Sequence, residues 1–304
     1  MGEIGVVFAG QGTQHPGMGQ SLYEGSRAAR EIFDRAEAVR PGTREQCFQG
    51  SQEELNQTRN AQPCLYTVEL AAFAALREGG VVPQRLAGFS LGELSALCAS
   101  GAVGFEEGLR LVMERGRLMD EAAGQADSGM VAVVKLDNAA VEALCARFDR
   151  VYPVNYNCPG QVAVAGLTAS LEPFKAAVKE AGGRALPLKV SGGFHSPFMA
   201  QAGKKFGAAL GEADIAAPEL PLYSNVTGLP YEGEIKELLE KQISSPVRWS
   251  QILEHMAGQG TDTFIEVGPG KTLCGFVGKT LGEARTLHVE DMESLARTLE
   301  EVKA

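Results

Sequence analysis

Residues 85–101 read RLAGFSLGELSALCASG, and this stretch constrains the fold more than any other. A brief apolar run meets Gly88, then Phe89, Ser90, Leu91 and Gly92, and a helical pattern follows at once. A strand that feeds a helix through so short a turn belongs to an α/β protein. The two glycines offer bare backbone where the chain must bend sharply and pack closely. The pattern is G-x-S-x-G, a nucleophile elbow, in the strand–turn–helix context that it requires. The Ser90 hydroxyl then projects at a helix N-terminus, where backbone N–H groups favour negative charge on a tetrahedral intermediate. The bland alternative is a Gly-Ser turn between two elements.

A serine nucleophile needs a base. The chain holds four histidines, His15, His195, His255 and His288. His195 follows a strand and Gly192–Gly193, and it directly precedes a helix start at Ser196–Pro197. A loop end is where an aimed side chain belongs, and a nearby helix N-terminus disfavours the imidazolium. His15, in the Gly-rich loop 9–19, competes weakly; His255 and His288 read as helix or surface residues.

Arg115 is the most informative charge. Its neighbours at i−4, i−3, i+3 and i+4 are Leu111, Val112, Leu118 and Met119, so helical spacing sets it in an apolar stripe. An arginine in a low-dielectric wall needs an anionic partner. Either an internal Asp or Glu supplies it, or the guanidinium presents its fork to a substrate carboxylate. Arg117, among Glu114, Asp120 and Glu121, reads as solvated.

The 304 residues carry 28 Lys plus Arg against 38 Asp plus Glu, a net charge of −10. No basic stripe is visible, which excludes a nucleic-acid binder; an anionic partner would need a local basic patch. The six cysteines form no C-x-x-C pair, so reduced thiols in a cytoplasmic protein are expected. No H-x-x-x-H pair occurs, so neither a metal nor a cofactor is expected. MGEIGVVFAGQG is no secretory signal and no apolar stretch is long enough to span a membrane. Two phosphate motifs fail: His15 occupies the third glycine of a G-x-G-x-x-G that starts at Gly10, and Ile265 stands where a P-loop ending in Gly270–Lys271–Thr272 needs its first glycine.

Along the chain we expect a strand at Glu3–Phe8, a helix over 20–39, a Ser51–Glu54 capping box and helices over 62–78 and 105–124. The rhythm then changes. Strands at Gly129–Leu136, Val151–Asn155, Gln161–Ala165 and Arg184–Val190 alternate with helices over 138–148 and 169–182 in the order β-α-β-β-α-β, the ferredoxin-like motif. We read residues 127–191 as an insertion, flanked by a core of 1–126 and 192–304. After it come a helix from Ser196–Pro197, a strand at Leu222–Asn225, helices over 233–243, 249–259 and 271–281, and a strand at Thr263–Val267.

Taken together these segments resemble a known family, the malonyl-CoA:acyl-carrier-protein transacylases of fatty-acid synthesis with the related acyltransferase domains of polyketide synthases. The resemblance rests on FAGQGTQHPGMG (8–19), GFSLGE (88–93), ERGRLM (114–119), NYNCPGQVAVAG (155–166), FHSPFM (194–199), Gln242 ahead of PVRW (246–249) and EVGPGKTL (266–273). It implies an α/β-hydrolase-like core with a parallel sheet and an inserted ferredoxin-like subdomain. It implies that Ser90 is acylated, that His195 is its base and that a backbone carbonyl at Gln242 orients the histidine. The backbone N–H groups of Gln11 and Leu91 match the oxyanion hole. Arg115 matches the arginine that pairs with the free malonyl carboxylate, and Asn157 and Phe194 fall among the substrate-binding positions. Phe194 resembles malonyl-selective members, whereas Phe89 stands where the family usually has histidine.

The resemblance further implies ping-pong transfer from malonyl-CoA to an acyl carrier protein by a monomer with no cofactor. Lys175, Lys179, Arg184 and Lys189 fall in the inserted segment, and Arg184 and Lys189 are the docking candidates for the carrier protein. Two other readings share the same residues: a serine hydrolase that discharges the acyl group to water, and a non-catalytic docking module that has kept the fold.

Overall fold

The computed structural model describes residues 2–303. Its strands are β1 Glu3–Phe8, β2 Arg85–Gly88, β3 Ser128–Val134, β4 Val151–Cys158, β5 Gln161–Leu167, β6 Arg184–Pro187, β7 Thr261–Val267 and β8 Arg285–Val289. They form two separate sheets: a parallel one in the order β2-β1-β7-β8 and an antiparallel one in the order β4-β5-β3-β6.

β1 shows why the first sheet is parallel and central. Val6, Val7 and Phe8 are all fully buried, so neither face of the strand sees water, as in sheets covered by helices on both sides. Phe8 pairs with Gly88 on one side and with Val267 on the other. The C-terminal ends of β1, β2 and β7 are therefore level, and the loops that begin at Ala9, Phe89 and Gly268 leave from the same edge. In open parallel sheets that edge is where ligands bind.

The second sheet alternates. Val131, Val133, Val162 and Val164 pack on Val141 and Phe174 of the helices Asn138–Cys145 and Thr168–Glu180. Met130, Ala163 and Ala165, which point the other way by the period of two, belong to the main core. Small residues on that face let the sheet lie close over the parallel-sheet body.

Several expected elements shift. The helix over 20–39 is two, Gln20–Gly25 and Arg27–Val39, because Ser26 is extended and its hydroxyl accepts from Ala29 N, restarting the chain as an N-cap. Ser51 caps Gln52–Asn56 through Glu54 N at 3.1 Å, while the Glu54 side chain accepts from Gln46. The helix expected from 62 begins at Thr58, with Pro63 inside it. Pro197 opens a 3-10 turn, Pro197–Met199, before the α-helix Ala200–Glu212. Leu222–Asn225 is not a strand: Leu222 bridges Leu86 and Tyr223 bridges Pro230, and Asn225 is held by side-chain bonds instead. β8, the helix Met292–Lys303 and the helix Thr43–Gln49 are further elements that the sequence reading did not anticipate.

Candidate active site

β2 ends at Gly88 and the helix Gly92–Ala99 starts four residues on. Ser90 between them has φ 55°, a left-handed conformation that a serine adopts only under constraint. The constraint is close packing. A Cβ on Gly88 would lie 1.9 Å from the Gly92 carbonyl carbon, and one on Gly92 would lie 2.3 Å from the Phe8 oxygen. Asn225 straps the turn: its Oδ1 accepts from Ser90 N at 2.7 Å and its Nδ2 donates to Gly88 O at 2.7 Å.

His195, also left-handed at φ 57°, is buried. Its Nε2 lies 2.7 Å from Ser90 Oγ and its Nδ1 lies 2.9 Å from the Gln242 backbone oxygen. That oxygen only accepts, so Nδ1 carries the proton and Nε2 is left to accept from the serine hydroxyl. Burial, with the Arg115 charge second, lowers the His195 pKa to about 4, so the ring is neutral at ordinary pH.

Arg115 sits in the helix Phe105–Ala123 and is fully buried. Nη1 donates to Gln62 Oε1 at 2.9 Å; Nη2 donates to Gln242 Oε1 at 2.8 Å and reaches Ser90 Oγ at 3.3 Å. All three acceptors are neutral, and Nε is buried without a partner. Burial lowers the Arg115 pKa to about 10, with the charge of Glu93 opposing, and the side chain remains a cation.

Gln242 links the two. Its Nε2 donates to Ser90 O at 2.6 Å and to Glu93 Oε2 at 2.8 Å. The other Glu93 oxygen accepts from Asn225 N and from the Tyr231 hydroxyl. Burial raises the Glu93 pKa to about 7, against the pull of these donors and of Arg115.

A cavity of about 240 Å³ opens beside the elbow, lined by Gly10, Gln11, Phe89, Asn155, Asn157 and Leu188 among others. A Cβ on Gly10 would touch the Phe89 ring at 2.8 Å and the Phe89 oxygen at 3.0 Å, so a bare backbone lets the loop that carries Gln11 close on the turn. Asn155 Oδ1 and Asn157 Oδ1 are buried there without partners. Phe89 packs edge-on against Trp249, ring centroids 5.4 Å apart, with Phe276 beyond. This cavity meets the elbow through Phe89 rather than through Ser90, His195 or Arg115 themselves, and the larger cavities beside Arg40 and beside Ile215 share none of its lining.

The expected residues thus meet as a set. Ser90, His195, Arg115 and Gln242 are hydrogen-bonded to one another, Leu91 follows Ser90, and Gln11 and Asn157 line the adjoining cavity. Phe194 is buried in the main core beside His195 in the chain. Arg184 and Lys189 are exposed, and Leu188 next to Lys189 lines the cavity. Lys175 pairs with Glu172 at 2.6 Å. His15 is exposed and bonds Pro16 O, while His255 contacts the Tyr223 hydroxyl. Sequence reading missed Gln62, Glu93, Asn225 and Tyr231. Glu93 did leave a signal, one charge in the otherwise uncharged helix GELSALCA. The others meet the site only through long-range packing. Among the described residues no cluster of His, Cys, Asp and Glu could hold a metal, and no helix is long and apolar enough to cross a membrane.

Residues 6–300 match the family model described as the acyl transferase domain, which sets the class of protein: an acyltransferase. The malonyl CoA-acyl carrier protein transacylase of Bacillus subtilis (strain 168) is 38% identical over 311 residues, covering 100% of this chain and 98% of that protein. The crystal structure of malonyl CoA-acyl carrier protein transacylase from Clostridium perfringens superposes with a TM-score of 0.96 at 38% identity, covering 99% of this chain and 97% of that one. A malonyl-transacylase solved in complex with its type II PKS acyl-carrier protein superposes with a TM-score of 0.95 at 34% identity, covering 98% and 99% of the two chains. The chain belongs to the family of malonyl CoA-acyl carrier protein transacylases.

Proposed function

We propose that this chain moves a malonyl group from malonyl-CoA to the phosphopantetheine thiol of an acyl carrier protein, by a ping-pong mechanism through a malonyl ester on Ser90. The observation that carries the reading is Arg115: a fully buried guanidinium whose acceptors are all neutral, with one nitrogen 3.3 Å from the Ser90 hydroxyl. A buried cation without an ionic partner is costly unless the ligand supplies the anion. The free carboxylate of a malonyl group does so while its thioester carbonyl stays at the serine.

In the first half-reaction Ser90 Oγ attacks the thioester carbonyl carbon and His195 Nε2 takes the hydroxyl proton. The carbonyl oxygen becomes an oxyanion, received by the backbone N–H groups of Gln11 and Leu91. The C–S bond then breaks, the coenzyme A thiolate takes the proton from His195 Nε2, and the malonyl ester remains. In the second half the carrier thiol gives its proton to the same nitrogen and attacks the ester carbonyl. The C–O bond breaks and Ser90 recovers its proton from His195. The Gln242 carbonyl fixes the tautomer throughout and replaces the acid of a Ser-His-Asp triad.

Asn157 belongs to the cavity that takes the pantetheine arm, and its unpartnered Oδ1 accepts from an arm amide. Phe194 shapes the acyl side next to His195. Arg184 and Lys189, both exposed, offer a local positive patch to an acidic carrier protein. We read the parallel-sheet body, 1–126 and 192–304, as an α/β-hydrolase-like core, on the strength of the elbow at its C-terminal edge. The β-α-β-β-α-β order and the strand order β4-β5-β3-β6 support a ferredoxin-like insertion at 127–191. Six free cysteines suit a reducing cytoplasm, where we place the chain as a monomer.

Intact-mass spectrometry of the protein mixed with a panel of acyl-CoAs tests the reading. Malonyl-CoA should give a covalent adduct that a carrier thiol discharges faster than water does and that Ser90→Ala abolishes. An adduct in that variant, preferential loading of neutral acyl groups, or discharge to water as fast as to thiol would overturn it.

A further inference from the structure

Gln242 is the residue on which the site turns. Its backbone oxygen holds His195 Nδ1, and its side-chain oxygen holds Arg115 Nη2. An amide has an accepting end and a donating end, and the arrangement works in one orientation only. Arg115 can only donate, so Gln242 Oε1 must face it, and Nε2 must then find acceptors on the other side. They are Ser90 O at 2.6 Å and Glu93 Oε2 at 2.8 Å.

Glu93 is itself fully buried and held on its other oxygen by Asn225 N and the Tyr231 hydroxyl. Asn225 is also the residue that straps the elbow at Ser90 N and Gly88 O. The carboxylate therefore sits where the strap and the amide meet. It makes no direct contact with Arg115 that would quench the guanidinium, since Gln242 stands between them.

We propose that Glu93 is a positioning residue that sets the malonyl selectivity of the site: as an acceptor it locks the Gln242 amide, and through Gln242 it aims Arg115 at the acyl pocket. The inference rests on the reading of Arg115 given above. Its chemical content is orientation rather than charge, and the two give opposite expectations. An anion that merely competed with the substrate for Arg115 would, when removed, sharpen the preference for a carboxylate-bearing acyl group. An anion that orients the amide would, when removed, blunt it.

Glu93→Gln separates them. Whichever way the new amide turns, its NH₂ faces a donor, Gln242 Nε2 in one orientation and Asn225 N–H in the other. Glu93→Asp keeps the charge and withdraws it by one methylene, beyond reach of Gln242. The readout is the ratio of kcat/KM for malonyl-CoA to kcat/KM for acetyl-CoA, with thermal unfolding followed in parallel. Both variants should lower that ratio by about tenfold, the scale of one lost hydrogen bond to a charged group. A structural role alone would lower the melting temperature and both kcat/KM values together, leaving the ratio unmoved. An unmoved ratio in folded variants, or a ratio that rises in Glu93→Gln, overturns the inference.

Should neither variant fold, Tyr231→Phe, which removes one donor from the carboxylate, should lower the ratio about threefold, a neutral hydrogen bond's worth; no change there overturns it equally. The two levels of the argument fail separately. If the wild-type protein forms no malonyl adduct by intact mass, the reading of the site is wrong. If the adduct forms and the ratio stays put, only the role of Glu93 is lost.

Discussion

Arg115 Nη2 lies 3.3 Å from Ser90 Oγ, and every hydrogen bond the guanidinium donates goes to a neutral acceptor. The site therefore holds a positive charge in direct contact with its nucleophile. Truncating it removes the cation proposed to hold a malonyl carboxylate there. Arg115→Ala should lower kcat/KM for malonyl-CoA by at least ~30-fold, in keeping with ~2–5 kcal/mol for losing one partner of a buried charge pair. Acetyl-CoA, which lacks the carboxylate, should lose far less, so the preference collapses or inverts. Steady-state kinetics with both donors check this, and unchanged malonyl-CoA kinetics would refute the role.

Ser90 pays for projecting its hydroxyl at His195 with a left-handed backbone, φ 55°. Glycine carries no such penalty, and the strain of an L-residue there is ~1–2 kcal/mol. Ser90→Gly should abolish the adduct and yet leave the protein as stable as wild type or up to ~1 kcal/mol more so, the lost bond to His195 offsetting part of the gain. Urea denaturation of the two proteins decides it; a clear loss of stability would mean that the turn is not strained.

The elbow was legible in sequence because its chemistry is local. Gly88, Ser90 and Gly92 fall within five residues, so the pattern that marks the turn is local even though Asn225 and β1 hold it in place. Arg115 was legible for a similar reason, since helical spacing alone set it among Leu111, Val112, Leu118 and Met119. Its ambiguity was not resolvable, because whether Asp or Glu answers it depends on which elements pack there; the structure puts Gln62 and Gln242 beside it. Asn225 shows the limit most clearly. Its segment read as a strand on apolar content, but its ladder is reduced to single bridges at Leu222 and Tyr223, and its side chain instead holds a turn 135 positions away. Nothing near Asn225 in the chain announces that partner. The antiparallel sheet was readable from its β-α-β-β-α-β order, whereas β8 and the last helix were missed, although Met292, Leu295, Leu299 and Val302 do fall at helical spacing.

The depressed His195 pKa makes a prediction about rate and another about stability. A base with a pKa of about 4 is neutral across the ordinary range, so acylation by acetyl-CoA, which has no carboxylate for Arg115 to hold, should stay level from pH 8 down to about 5 and fall only near 4. A fall centred near 6.5 would show the histidine unperturbed. For stability, the unfolded chain binds the His195 proton first as pH drops below 6.5, so this residue's contribution is lost between about 6.5 and 4.

Glu93 and Glu266 work in the opposite sense, both raised to about 7 by burial. Their contribution is full below the unfolded carboxylate range near 4.5 and is lost as pH rises through about 7. His195→Gln removes the first effect and leaves the second. Between pH 5 and 6 the unfolding free energy of that variant should fall more steeply with rising pH than that of wild type, by up to ~1.4 kcal/mol per pH unit for one proton. Denaturant titrations at several pH values measure the slopes, and identical slopes would contradict the burial of a neutral imidazole.

Gly92 closes the elbow against β1, and a methyl group there has nowhere to go. Its Cβ would stand 2.3 Å from the Phe8 oxygen and 2.5 Å from the Ala9 oxygen, backbone atoms of the central strand and its loop. Neither can retreat without breaking the level edge that brings the Gly10 loop to Ser90. Gly92→Ala should therefore cost more than ~3 kcal/mol, beyond ordinary overpacking, and any folded fraction should load malonyl slowly because the turn has shifted. Gly275→Ala is the matched control. Gly275 lies in the helix Thr272–Leu281 with nothing within 4 Å of its would-be Cβ, so alanine there should stabilise by ~0.5–1 kcal/mol through helix propensity. Equal melting temperatures for the two variants would show that the clash at Gly92 is relieved by a movement the fold was not expected to allow.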